Sequence, residues 1–265
     1  MSLSLTPSLL TPEAEGPRPL LMVGPSLGTS VTALWGPALP FLADRFTVVG
    51  WDLPGHGSSA AHPGPFSLSD LASAVVRAAD HAAAEHGAVD AALPRFHAGV
   101  SIAGAVSLTL AVDHPGTFRS LAVLCSAAKL GTPEGWRERA DLVAQAGTPT
   151  MVEGSAKRWF APGFLEKHPE RVTPLLHALQ QTDRHSYAAA CRALADYDLT
   201  ERLGEASDPL LALAGEEDTV CPPADADTIA KGVPEGRAVT LRGVAHQAPT
   251  EDPENTAEML KDFFS

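Results

Sequence analysis

One stretch constrains this chain more than any other: Phe96-His97-Ala98-Gly99-Val100-Ser101-Ile102-Ala103-Gly104. An apolar run ends in a small residue, a serine follows, and more small residues open an apolar, helix-like segment over residues 105–112. That order reads as a strand, a very tight turn and a helix, with Ser101 at the apex. A turn this sharp brings positions 99 and 103 together, so both must be small. It also forces strained backbone on the serine and exposes its hydroxyl. The next amide, that of Ile102, falls at a helix N-terminus, where a free N–H can face a developing negative charge. Taken alone, the pattern also fits an ordinary strand-to-helix turn, so the rest of the chain must decide.

Residues 20–23 form a short, wholly apolar run, and mostly apolar runs recur at 47–51, 120–125 and 209–215, with a weaker one at 238–241. Runs like these suit strands buried on both faces of a parallel sheet. Between them lie helical patterns, including an Ala-rich one over residues 68–86 with Ser67 or Ser69 as its cap and Gly87 as its stop. The alternation predicts an α/β fold, a mostly parallel sheet with crossover helices. Residues 3–10, broken by Pro7, suit one or two short edge strands, and residues 13–17 a turn. A short proline-interrupted helix is expected over residues 34–42 and a final helix over 255–264.

From about residue 127 to 205 the rhythm changes. Strand-like runs stop, and Trp136, Leu142, Val143, Trp159, Phe160, Leu175, Leu179 and Tyr187 mark a helical periodicity. We read this as a helical insertion, giving a core over residues 1–126, a cap over 127–205 and a second core part over 206–265.

Composition removes several function classes. The formal net charge is -13, which argues against a nucleic-acid partner. No apolar stretch is long enough to span a bilayer, and residues 1–7 lack the charged and apolar regions of a signal peptide. Three cysteines, Cys125, Cys191 and Cys221, show neither metal-ligand spacing nor an even count. They favour a reducing cytoplasm over a disulfide framework. The sequence leaves room for a homo-oligomer.

Three residues then line up, each just beyond a predicted strand: Ser101, Asp218 in Gly215-Glu216-Glu217-Asp218, and His246 in Gly243-Val244-Ala245-His246. Loops at the carboxyl ends of such strands converge on one crevice. Serine is a poor nucleophile at its own pKa. It needs an imidazole to take its proton and a carboxylate to fix that imidazole's tautomer. Among the other histidines, His97 reads as structural and His56 as a stabiliser of its own turn.

With these motifs in hand the chain resembles the α/β-hydrolases over nearly its whole length. The elbow, the turn Asp52-Leu53-Pro54-Gly55-His56-Gly57-Ser58-Ser59, the acid loop and the late histidine follow that superfamily's order. The resemblance implies an oxyanion hole built from the amides of Leu27 and Ile102. A closer resemblance is to the 3-oxoadipate enol-lactonases, carried by Ser26-Leu27-Gly28-Thr29-Ser30 with Trp35, by residues 134–139, by Arg158-Trp159-Phe160, and by residues 187–194 with Asp198-Leu199. It implies a small carboxylated lactone as substrate, no metal and no organic cofactor. A cation is then expected for the carboxylate, from Arg137, Arg139, Lys157 or Arg158, with Arg137 placed first and Trp136 and Trp159 as pocket walls. An esterase, a carbon–carbon bond hydrolase and a non-catalytic binding protein on the same scaffold are the other readings. Two positions depart from the pattern: Ala103 stands where glycine is frequent, and Pro25 where asparagine or histidine is.

Overall fold

The computed structural model describes residues 3–12, 16–62, 64–85 and 93–265. Seven strands form one sheet in the order β1-β3-β2-β4-β5-β6-β7. They are β1 (Ser8–Leu9), β2 (Leu20–Gly24), β3 (Thr47–Gly50), β4 (Arg95–Val100), β5 (Ser120–Leu124), β6 (Leu210–Gly215) and β7 (Gly236–Leu241). Only β1 is antiparallel; it is the single short strand that residues 3–10 supply, at the edge of the sheet. Strands β2 to β6 are almost entirely buried, as their predominantly apolar sequences require.

The helix Leu68–Glu85 begins where Ser67 accepts the Asp70 N–H at 3.0 Å and returns its own N–H to Asp70 at 2.8 Å. Ser67, rather than Ser69, is therefore its cap; His86 and Gly87 lie outside the described residues, as do residues 13–15 of the expected turn. The segment over residues 34–42 divides into two short helices, Val31–Trp35 and Leu39–Leu42, around a 3-10 turn containing Pro37. Between β5 and β6 the described residues form helices only, the longest being Pro133–Ala146, Pro169–Gln181 and Arg184–Ala195.

The strand order sets where a site can form. The chain leaves β2 toward β3 on one side and leaves β4 toward β5 on the other. The two strands pair in parallel, with Gly24 opposite Gly99 at their carboxyl ends. This reversal opens a crevice above β2 and β4, the position where ligands bind in open α/β sheets. The residues following Gly24 and Val100 stand at that crevice.

Candidate active site

Ser101 follows β4 directly and has φ 57°, ψ −116°. For a residue with a side chain this is strained backbone, of a kind that collects at functional sites. Its surroundings over-determine it. The Ser101 N–H donates to the Leu124 carbonyl at 2.9 Å, and its own carbonyl accepts the Ser126 hydroxyl at 2.7 Å. A Cβ at Gly99 would lie 2.1 Å from the Ala103 carbonyl oxygen, so no larger residue fits there. Ala103 is accommodated because Gly24 faces it without a side chain: a Cβ at Gly24 would stand 2.6 Å from the Ala103 methyl. The Ser101 hydroxyl does not cap the following helix, Ile102–Asp113. Ile102 is the first residue of that helix, so its N–H has no intrahelical carbonyl.

The loop after β2 carries Leu27. Thr29 closes it, donating N–H and hydroxyl to the Ser26 carbonyl at 3.0 and 2.9 Å. The turn over residues 52–59 supports it from below. Asp52 Oδ1 accepts the Val31 N–H at 2.7 Å, and Oδ2 accepts the N–H and hydroxyl of Ser58. The Leu27 N–H makes no hydrogen bond among the described residues. His56 holds the same turn through Nδ1 to the Pro54 carbonyl at 2.9 Å, and burial lowers its pKa to about 4, so it is neutral. His97 is structural too: its ring lies between Ser107 Oγ at 2.9 Å and the Trp51 indole N–H at 3.3 Å, and burial lowers its pKa to about 3.

Asp218 and His246 meet. His246 Nδ1 stands 2.8 Å from Asp218 Oδ2, with both side chains buried. The other carboxylate oxygen, Oδ1, accepts the N–H groups of Val220 at 2.8 Å and Cys221 at 3.0 Å. The neighbouring Glu216 and Glu217 are exposed, which separates them from Asp218. Gly215 permits the two loops to touch, since a Cβ there would lie 2.2 Å from the Ala245 carbonyl. Cys125, at the end of β5, joins the group through Sγ to that same carbonyl at 3.5 Å. The ends of β4, β5 and β6 and the loop after β7 thus converge. With Nδ1 engaged by Asp218, His246 has Nε2 left for a partner; no hydrogen bond links it to Ser101 among the described residues. Hydrogen bonds of this kind are commonly long or absent before substrate binds.

Asp218, Cys221 and His246 place donor atoms within 4.8 Å of one another, a spacing a metal ion can use. Both Asp218 oxygens already accept hydrogen bonds, and burial together with the Asp218 charge pushes the Cys221 thiol well up, keeping it protonated. The cluster is held by its own hydrogen bonds.

The residues expected to meet substrate divide. Trp159 is buried, and its carbonyl accepts the His246 N–H at 3.1 Å, which sets it against the imidazole loop. Trp136 is half-buried and donates its indole N–H to the Leu130 carbonyl at 2.6 Å. Arg137 lies on the outer face, paired with Asp196 at 2.9 Å. Lys157 is likewise exposed and paired, with Glu153. Arg139 differs. Its guanidinium lies over the rings of Trp136 and Tyr187, at 5.2 and 5.4 Å, and donates to the Tyr187 hydroxyl. Its Nε is buried without a partner. Arg158 is close by: burial and the Arg139 charge both lower its pKa. Neither arginine has a carboxylate partner among the described residues. Together with Leu142, Met151 and Glu138 they line a cleft of about 390 Å³. Tyr187 in turn packs on the Leu27 loop, 3.3 Å from where a Gly28 Cβ would stand. Sequence spacing did not single out Arg139, because residues 137 and 139 share the same local pattern and only helix rotation separates them.

The sheet order, the serine at its strained turn and the buried acid–histidine pair define an α/β hydrolase. Residues 38–253 match the family described as serine aminopeptidase, S33, and the chain belongs to that family. It is 32% identical to 3-oxoadipate enol-lactonase 2 of Acinetobacter baylyi, over 91% of this chain and 86% of the relative. It is 29% identical to 3-oxoadipate enol-lactonase 1 of the same organism, over 96% and 92%. The solved enol-lactonase from Burkholderia xenovorans LB400 superposes with a TM-score of 0.87 at 25% identity, over 98% of this chain and 96% of that one. No helix among the described residues is long and apolar enough to cross a membrane.

Proposed function

We propose that the protein opens a small carboxylated enol-lactone through an acyl-enzyme on Ser101. Ser101 Oγ attacks the lactone carbonyl while His246 Nε2 takes its proton. Asp218 fixes the proton on Nδ1 and stabilises the imidazolium. The amides of Leu27 and Ile102 receive the oxyanion, a contribution on the order of 10²–10³ in rate per donor. His246 returns its proton to the departing enolate oxygen, and the enol relaxes to a ketone, which removes the nucleophile that would reclose the ring. Water, deprotonated by His246, then releases the acid. Residues 127–205 act as a cap over this chemistry, and no cofactor takes part in it.

The observation that carries the substrate class is the Arg139–Arg158 pair. Two adjacent cations with no salt-bridge partner among the described residues, one with a buried unpartnered Nε, outnumber the single carboxylate of Glu138 on their cleft and favour an anion there. The pair is linked through Tyr187 to the loop that holds Leu27. We assign the substrate carboxylate to Arg139, rather than to Arg137. The enol-lactonase names of the relatives support the same class. Hydrolysis of 3-oxoadipate enol-lactone, beside a neutral nitrophenyl ester and a Ser101→Ala control, tests it. The lactone is expected to be preferred, and Ser101→Ala to abolish turnover of both. Turnover of the ester alone sinks the substrate assignment, and an active Ser101→Ala variant sinks the mechanism.

A further inference from the structure

Five residues beyond His246, at the end of the short helix Ala248–Glu251, a buried carboxylate gathers three backbone donors. Glu251 Oε1 accepts the N–H groups of Ala245 and Gln247, both at 3.1 Å. These are the residues on either side of His246. Oε2 accepts the Ala161 N–H at 2.7 Å. Ala161 lies two positions past Trp159, whose carbonyl receives the N–H of His246 itself at 3.1 Å. Three consecutive amides, 245 to 247, are therefore all tied to partners outside their own loop. Among the described residues no salt bridge reaches this carboxylate: burial pushes its pKa up to about 7, against the pull of the three N–H donors and of His246. A costly buried acid is kept where its oxygens bridge the imidazole loop and the turn after Trp159.

We propose that Glu251 is a positioning residue that sets His246 for catalysis and couples it to the Trp159–Ala161 turn. This rests on the reading of His246 as the general base. The two oxygens have separate tasks. Oε1 holds the backbone on both sides of the imidazole, and Oε2 holds the turn that walls the substrate. A glutamine at 251 keeps one oxygen, and two N–H bonds outweigh one, so that oxygen stays with Ala245 and Gln247. The amide nitrogen then faces the Ala161 N–H, and the link to the turn is cut.

The experiment compares Glu251→Gln and Glu251→Ala with the wild type on the lactone and on a neutral nitrophenyl ester, using whichever is turned over, with thermal unfolding beside it. Glu251→Ala frees the imidazole loop. Misplacement by about 1 Å costs on the order of 10² in rate, and that loss is expected in kcat. Glu251→Gln is expected to keep kcat within roughly threefold while KM rises about tenfold, since only the turn is released. A folded Glu251→Ala variant with kcat near wild type overturns the proposal, as does a Glu251→Gln variant whose kcat falls while KM stays put. If Glu251→Ala does not fold, the split in Glu251→Gln decides alone, and unchanged kcat and KM there also count against the proposal. Ser101→Ala is run in parallel: activity surviving in it refutes the catalytic reading, whereas its loss beside indifferent Glu251 variants refutes only the role of Glu251.

Discussion

Replacing Asp218 by asparagine changes one atom and should remove most of the activity. The geometry decides which way the new amide points. Asp218 Oδ1 accepts two backbone N–H groups, from Val220 and Cys221, while Oδ2 faces His246 Nδ1. An asparagine keeps its oxygen toward the two N–H groups. Reversing it loses two hydrogen bonds at about 1 kcal/mol each, a preference of roughly thirtyfold before any N–H repulsion is counted. The amide NH2 then points at Nδ1, which must become an acceptor. The imidazole proton moves to Nε2, the nitrogen that has to receive the proton of Ser101. A base in the wrong tautomer is expected to lower kcat by about 10⁴, or ~5.5 kcal/mol of transition-state stabilisation. The fold should survive, because both loop N–H groups keep their acceptor and no charge is added. Steady-state kcat on a nitrophenyl ester or the lactone, with thermal unfolding as control, makes the test. A folded Asp218→Asn variant within tenfold of wild-type kcat would refute the tautomer argument and, with it, the role given to the acid–histidine pair.

The two arginines of the helix Pro133–Ala146 should separate by substrate charge. Arg139→Ala should raise KM for the lactone by roughly 10–100-fold, the value of losing a charged hydrogen bond, and leave a neutral ester within about threefold. Arg137→Ala should change neither substrate by more than about twofold, because an exposed ion pair contributes ~0–1 kcal/mol. Equal effects of Arg139→Ala on both substrates would remove the carboxylate from that site. Gly99→Ala tests the turn itself. Its new methyl would meet backbone, the Ala103 carbonyl at 2.1 Å, which cannot rotate aside. We expect a cost of about 3 kcal/mol or more, a melting temperature lower by roughly 6–12 °C, and activity lost with it. An unchanged melting temperature would show that the elbow relaxes more readily than its geometry implies.

How much of this the sequence carried depends on the range of each interaction. The parallel sheet was legible because a strand buried on both faces must be apolar throughout, as Leu21, Met22 and Val23 are. The elbow was legible because its requirement is local: position 99 must clear position 103, four residues away. The tolerance of Ala103 was not, because it depends on Gly24, a residue distant in sequence and adjacent only through the pairing of β2 with β4. Pro25 follows Gly24 in the loop after β2. The loop it stiffens is closed by Thr29 and Asp52, so the missing N–H is not part of what holds it.

Glu251 shows the sharper limit. In the sequence it is one of many acidic residues on a chain of net charge -13, in the run Glu251-Asp252-Pro253-Glu254 just before the final helix expected over residues 255–264. Nothing local marks it, because its partners are main-chain N–H groups, which every non-proline residue has. Only the fold shows that the amides it gathers flank His246 on one side and follow Trp159 on the other. The same holds for Arg139, whose difference from Arg137 is whether an aspartate or an aromatic ring lies opposite. The side chains proposed to perform the chemistry could be picked out from their type and order. Those proposed to place it act through backbone and through neighbours from other elements, and a sequence read one segment at a time does not contain those neighbours. The corollary can be tested at these positions: substitutions at Glu251 and Arg139 should move kcat and KM separately, whereas substitutions at Ser101, Asp218 or His246 should lower kcat by about 10⁴ or more whatever the substrate.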